Sequence, residues 1–248
     1  MIYLQSTRHP TVQRLERVRK RKHTSTLLLL GHHMVKEYSG SRVRTFFSTR
    51  EEWLTDFNSF TPEESILLSD PAWKRISGYE STNAVGIEID IPHLAFPTPS
   101  QRVLCLDRVR DPSNLGTLIR TSKALGWDGL FLIRGCASPF NDKALRASQG
   151  TFMPFVFGDY EELFQFSKTH HLRIYCADAS GVSWDRAEHP SEQGILLILG
   201  EEGNGISPIL RDSCYNISIP MKNDVDSLNV GVAGGILMYL LSSSSDSG

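Results

Sequence analysis

Three short stretches in the second half of the chain carry residue types suited to chemistry. They are Asn114-Leu115-Gly116 with Arg120, Gly200-Glu201-Glu202-Gly203-Asn204-Gly205, and Ser227-Leu228-Asn229-Val230. Each places small or polar residues where an apolar run gives way to a loop or helix. Open α/β sheets bind ligands at the loops beyond their strand ends, so three such loops from distant sequence imply one composite site. The glycine-rich stretch looks loosely like a dinucleotide fingerprint, but the spacing G-x-G-x-x-G and the acidic residue about 20 positions on are missing. That disfavours a nicotinamide-dependent dehydrogenase. The Gly-Lys-Ser/Thr ending of a phosphate loop is missing too, and the Glu201-Glu202 pair would repel a phosphate. Simpler roles stay open: a tight turn for the glycines, an N-cap for Ser227 or Asn229, a surface charge for Arg120.

These loops need a scaffold of alternating strands and helices. Residues 103–106 read as a buried strand ending in Asp107, and 114–125 as a helix that stops at Gly126. Strands follow at 129–133, at 152–157 with Pro154 marking an edge, at 172–177, at 194–199 as a central run, and at 217–220. Helices are expected at 160–169 and 228–241. Strands separated by helices predict a mostly parallel sheet covered on both faces. The first 90 residues form a smaller α/β module: helices at 11–22, 32–39 and 70–76, the last with Asp70 as cap and Pro71 in its first turn, and strands at 27–30, 43–48, 65–68 and 84–91. Pro92, Pro97 and Pro99 mark the linker, which gives domains of 1–97 and 98–248.

The 248 residues have a net charge of −2. No apolar run approaches the roughly 18 residues that cross a bilayer, and no secretory signal is recognisable. The four cysteines, Cys105, Cys136, Cys176 and Cys214, show no CxxC pattern or metal-ligand spacing. They suit reduced thiols in a cytoplasmic protein and imply no metal. Residues 1–50 hold eleven Lys or Arg against Glu16 and Glu37. Arg14, Arg17, Arg19, Lys20, Arg21 and Lys22 on the first helix are candidate contacts to an RNA phosphate backbone, with a solvated helix face as the alternative.

Together these residues resemble the SpoU/TrmH family of RNA ribose 2′-O-methyltransferases, within the SPOUT superfamily. The likeness covers about residues 103–241 in the family's motif order. Residues 107–121, with Asn114, Gly116 and Arg120, match the first motif; 199–206 match the second; 217–221 and 227–230 match the third. Between them, Lys143-Ala144-Leu145-Arg146-Ala147-Ser148-Gln149-Gly150 is similar to the family's Arg-x-Ser-x-Gly stretch.

The resemblance implies an α/β fold with a mostly parallel sheet and a C-terminal trefoil knot, a topology that general folding rules disfavour. A small L30e-like RNA-binding domain would precede it, although Gly31-His32-His33 replaces the acidic-glycine signature usual before its first helix. It further implies methyl transfer from S-adenosylmethionine to a ribose 2′-hydroxyl, most often of ribosomal RNA. A tRNA substrate, or a catalytically inactive RNA-binding member of the fold, are the alternatives. By motif position Leu199, Gly200, Ile219 and Leu228 would contact the methyl donor. Arg120 matches the residue proposed as base, yet a guanidinium that stays protonated better clamps the phosphate and orients the ribose. Asn114, Glu202, Ser227 and Asn229 would position Arg120 and the sugar, with Glu202 fixing the guanidinium. Family members dimerise through the knotted domain, so a homodimer is expected.

Overall fold

The computed structural model describes residues 2–21, 25–40, 42–57, 59–81, 84–187, 193–201, 203–222 and 227–243. The backbone divides into two compact units, one of residues 1–92 with 140–150, the other of 93–139 with 151–248. The division falls before the expected one at 97/98, and the return of 140–150 to the first unit has no counterpart in the sequence reading.

In chain order the first unit contains β1 (Ile2–Leu4), α1 (Pro10–Arg19), β2 (Thr26–Leu30), α2 (His32–Glu37), β3 (Arg42–Ser48), α3 (Glu51–Asp56), β4 (Thr61–Leu68), α4 (Asp70–Ser77) and β5 (Val85–Asp90). Its sheet runs β1-β4-β3-β5-β2. β4 is parallel to β1 and β3, and β5 is antiparallel to β2 and β3. Val12, Leu15 and Val18 are buried along one face of α1, as three-residue spacing requires. The cap of α4 is Ser69, whose hydroxyl accepts from the Ala72 N–H at 3.4 Å, and not Asp70, which is already helical. Serine here takes the β-region backbone that a cap requires, and the acidic Asp70 then sits in the first turn where the helix dipole favours it.

The chain continues through β6 (Arg102–Asp107), α5 (Pro112–Ala124), β7 (Gly129–Ile133), α6 (Asp142–Ser148), β8 (Phe155–Gly158), α7 (Tyr160–Thr169), β9 (Leu172–Ser183), β10 (Gly194–Gly200), α8 (Pro208–Arg211), β11 (Tyr215–Ser218) and α9 (Val230–Ser243). Of these, α6 belongs to the first unit. The second sheet has the order β11-β9-β10-β6-β7-β8, and its pairings are parallel. β10 lies between β6 and β9 and buries Ile195 to Leu199 without a break, the pattern of a strand covered on both faces. β8 starts after Pro154 and does not contain it, because proline cannot donate to a ladder.

β9 is longer than its apolar run suggests. Asn216 of β11 pairs with Cys176, but the next residue, Ile217, pairs with Val182. Residues 177–181 therefore leave the ladder. A Cβ on Gly181 would lie 2.6 Å from the Asn216 carbonyl carbon, so glycine is what permits the strands to close again beyond the bulge.

Candidate functional site

The site is built at the carboxyl ends of β6, β10 and β11. β6 ends in Asp107, whose side chain is fully buried. One carboxylate oxygen accepts the Ser207 N–H at 2.8 Å. The other accepts from the Tyr160 hydroxyl at 3.1 Å and from Arg108 Nε at 3.0 Å. A buried carboxylate is tolerable only when hydrogen-bonded in this way. Its partners come from the start of α7, the segment before α8 and the chain after β6, so one residue ties three loops together. The sequence marked Asp107 as a strand end and as the head of the first motif, and nothing marked Tyr160 or Ser207 as its partners.

α5 starts two residues earlier than expected. Asp111 caps it by accepting from the Ser113 N–H at 3.0 Å, Pro112 occupies its first turn, and Asn114 is helical. At the head of α9, Asn229 Oδ1 accepts from the N–H groups of Gly231 at 2.9 Å and Val232 at 3.3 Å. The Asn229 amide donates to Asn114 Oδ1 at 3.1 Å. Asn229 is thus a cap and a tie at once, and the first and third motifs meet at the joined helix starts. Arg120 lies further along α5, exposed, and has no hydrogen bond or ion pair among the described residues.

The glycine-rich loop closes on itself. Glu201 and Gly205 exchange backbone hydrogen bonds of 3.1 and 2.9 Å. A Cβ on Gly200 would stand 2.2 Å from the Gly205 carbonyl carbon, a distance only glycine tolerates. The Glu201 carboxylate takes Arg110 Nε at 3.2 Å and the Asn204 amide at 3.1 Å. Glu202, expected as the partner of Arg120, lies outside the described residues. Arg110 was not singled out by the sequence.

Beside the joined helix starts lies a cavity of about 130 Å³. The bulge of β9 (Ala177, Asp178, Ala179), the end of β11 with Ile219 and Met221, the Ser227-Leu228 pair, and Ala233 and Leu237 of α9 line it. Ile219, Leu228 and Ser227 thus come together. Leu199 and Gly200 are not part of this lining. Leu199 is buried, and a Cβ on Gly234 would lie 2.6 Å from its Cδ1 and 2.5 Å from Leu118 Cδ2. Gly234 therefore lets α9 approach both β10 and α5. The Asp178 carboxyl is held below its ordinary range, first by the Ser180 hydroxyl and then by the Ser180 N–H and the Arg211 guanidinium at 2.7 Å.

The basic helix is sorted by its partners. Arg14 reaches Glu88 at 2.5 Å, and Glu88 also accepts from Thr26 and Thr45. Lys20 pairs with Glu16, Arg19 stands 4.0 Å from Asp142, and Arg21 donates to the Thr26 carbonyl at 2.8 Å. Arg17 is exposed and has no hydrogen bond or ion pair among the described residues. Lys22 lies outside them. The expected stripe of free cations is in large part an internal ion-pair network.

All four thiols are free. Burial pushes Cys105 up, and Cys136 to about 11, far from a reactive thiolate. Among the described residues no cluster of three or more His, Cys, Asp or Glu is placed to hold a metal ion, and no helix is long and apolar enough to cross a membrane.

The profile of the SpoU rRNA Methylase family matches residues 101–239, from the start of β6 to the last turns of α9. The chain belongs to this family. It is 30% identical over 234 residues to the 23S rRNA (guanosine(2553)-2′-O)-methyltransferase RlmP of Bacillus subtilis, covering 92% of this chain and 93% of that protein. Two solved structures share the fold. An AdoMet-bound rRNA methyltransferase from Sinorhizobium meliloti superposes with a TM-score of 0.82 at 21% identity, over 98% of each chain. The SpoU methyltransferase AviRb from Streptomyces viridochromogenes, in complex with AdoMet, gives 0.81 at 23% identity, over 97% of this chain and all of the other. The mostly parallel α/β sheet is the architecture they have in common with this family member.

Proposed function

We propose that this protein transfers a methyl group from S-adenosylmethionine to a ribose 2′-hydroxyl of ribosomal RNA. The observation that carries this reading is the Asn229–Asn114 hydrogen bond, which joins two family motifs beside the apolar cavity. Similarity to a 23S rRNA 2′-O-methyltransferase along nearly the whole chain adds the substrate class.

The residues present fit part of the donor. The cavity, flanked by Ile219, Met221 and Leu228, takes one ring system, since pockets for a complete small ligand measure roughly 300 Å³ or more. Ile219 and Leu228 suit an adenine, with Leu199 and Gly200 shaping the neighbouring loop. When bound, the donor supplies an electrophilic methyl carbon on a sulfonium. Arg120 presents a permanent cation with a fork of donors, suited to clamp a phosphate and to turn the ribose toward the donor. Asn114, Asn229 and Ser227 fix the walls around that sugar, and Glu202 would hold the guanidinium. Orientation of this kind is worth several kcal/mol of barrier (about 7–11 in the best intramolecular cases).

The same reading makes the second unit the catalytic domain, threaded into a trefoil knot, and the first unit, with residues 140–150, an L30e-like RNA-binding domain that uses Arg17 and its basic neighbours. Val232 and Ile236 are exposed on one face of α9, 51% and 37%, and support a homodimer through that helix. The free thiols suit a reducing, cytoplasmic compartment.

The test is transfer from tritiated S-adenosylmethionine to 23S rRNA and tRNA transcripts, with mass spectrometry of the digested nucleosides. A 2′-O-methylnucleoside from 23S rRNA alone is the expected result. Transfer only to tRNA would move the substrate class, and a base-methylated product or no transfer would overturn the reading.

A further inference from the structure

The first unit holds a second cavity, of about 600 Å³. Leu30, His32, Trp53, Arg146 and Gln149 are among its walls. Two observations set it apart. Gln149 closes α6 in a left-handed conformation, φ 53°, at a position where glycine is the usual choice. Its amide oxygen is buried and has no hydrogen-bond partner among the described residues. A buried acceptor without a donor has given up its hydration for nothing, and the left-handed backbone adds strain at the same residue. A ligand that donates to Gln149 would satisfy the acceptor.

The remaining walls say which ligand. The His32 ring lies 5.3 Å from the centroids of both Trp53 and Phe57, so three rings form one cluster with His32 and Trp53 facing the cavity. Flat aromatic surfaces receive nucleobases by stacking. Arg146 brings a cation to the same cavity and lies over Tyr79 at 5.6 Å. Arg146 also pairs with Asp142 of its own helix at 2.6 Å, so a phosphate would take the guanidinium over from that carboxylate. An aromatic wall, one arginine and one unpaired acceptor match an unpaired nucleotide.

We infer that this cavity receives one unpaired base of the RNA substrate, stacked on the Trp53 ring with the His32 ring standing edge-on beside it, an N–H edge donating to Gln149 Oε1 and a flanking phosphate taking Arg146 from Asp142. The inference rests on the RNA reading above, and it assigns substrate recognition to the Arg146-Ala147-Ser148-Gln149-Gly150 stretch.

The experiment compares a short single-stranded oligo(A) RNA with an abasic strand of equal length, binding to the full-length protein by fluorescence anisotropy. Wild type should prefer the strand with bases. Trp53→Leu and Gln149→Met should each weaken oligo(A) binding roughly tenfold and leave the abasic strand unaffected. Gln149→Gly should lose the same preference while raising the thermal midpoint, a gain that separates a binding role from a structural one. Equal affinity of wild type for both strands, or an unchanged preference in all three variants, overturns the inference. If wild type binds neither strand, the inference falls as well, and the RNA reading falls with it only if methyl transfer to 23S rRNA is also absent.

Discussion

The Asn229 amide donates to the Asn114 side-chain carbonyl at 3.1 Å, across 115 residues of sequence. The same Asn229 caps α9 through its own carbonyl oxygen. These roles use different atoms, so they separate by substitution. Asn229→Asp keeps a good cap but replaces the donor to Asn114 with an oxygen. Its thermal midpoint should stay near wild type while kcat/KM falls by an order of magnitude or more. Asn229→Ala loses both, and about 1 kcal/mol of stability with the cap. Equal activity in Asn229→Asp and wild type would show that the tie serves folding alone.

Arg120 is exposed and lacks a described protein partner, so its removal leaves no buried charge behind. Arg120→Ala should fold normally, bind S-adenosylmethionine with unchanged affinity by calorimetry, and lose at least about a hundredfold in kcat. Arg120→Lys keeps the charge but not the fork, and should recover only part of the loss. Retained turnover in the alanine variant would remove Arg120 from the reaction.

Asp107 makes the opposite prediction, since its acceptors are buried and all used. Asp107→Asn weakens three hydrogen bonds to a carboxylate and sets an N–H₂ against one of their donors. A loss of about 2–3 kcal/mol is expected, read from denaturant midpoints. Activity should fall in parallel, because the loops of β6, α7 and α8 lose their common anchor. A stability equal to wild type would mean that the loops are held by other contacts.

The reach of sequence follows from what periodicity encodes. β7 and α7 occupy the expected residues, and β6, β10 and α1 lie within two or three, because their apolar spacing matches one buried face or two. β1 has three residues, too few to show a period, and α3 and α6 have six and seven, under two turns each and too short for a helical period to stand out. The site was legible where a family motif places a side chain: Asn114, Asn229, Ile219 and Leu228 come to one end of the sheet. The hydrogen bonds of Asp107 to Tyr160 and Ser207 were not, since they depend on three-dimensional closure and not on local pattern. The ion pairs of the first helix were hidden for a related reason. Charge is visible in sequence, but the acidic partners of Arg14 and Arg19 lie 74 and 123 positions away.

Gly234 gives a packing prediction on the donor side. Gly234→Ala would place a methyl 2.5 Å from Leu118 Cδ2 and 2.6 Å from Leu199 Cδ1. Both are ends of leucine side chains that can shift, so the cost falls toward the lower part of the 1–3 kcal/mol typical of overpacking, about 1 kcal/mol. Leu199 precedes Gly200, so its displacement should also weaken S-adenosylmethionine binding, measured by calorimetry. Full affinity in this variant would disconnect the α9 packing from the donor site.

Glu16 on α1 sets a pH dependence in the first unit. The Lys20 ammonium, hydrogen-bonded at 2.5 Å, holds its carboxyl below the ordinary 4.5, with Arg75 at 2.7 Å adding to the effect and partial burial opposing it. A carboxyl depressed in the folded state contributes stability that is fully present above its unfolded pKa and is lost as pH falls through the folded value. Glu16→Gln removes this contribution at every pH. The thermal midpoint of wild type should therefore exceed that of the variant between about pH 6 and 8, by the equivalent of about 1 kcal/mol or less because both cations are part-exposed. The gap should close as pH drops below about 4, where wild type also carries a neutral side chain at this position. A gap that stays constant down to pH 3 would mean that Glu16 acts through packing and hydrogen-bond shape, with its charge contributing nothing to the α1–α4 contact.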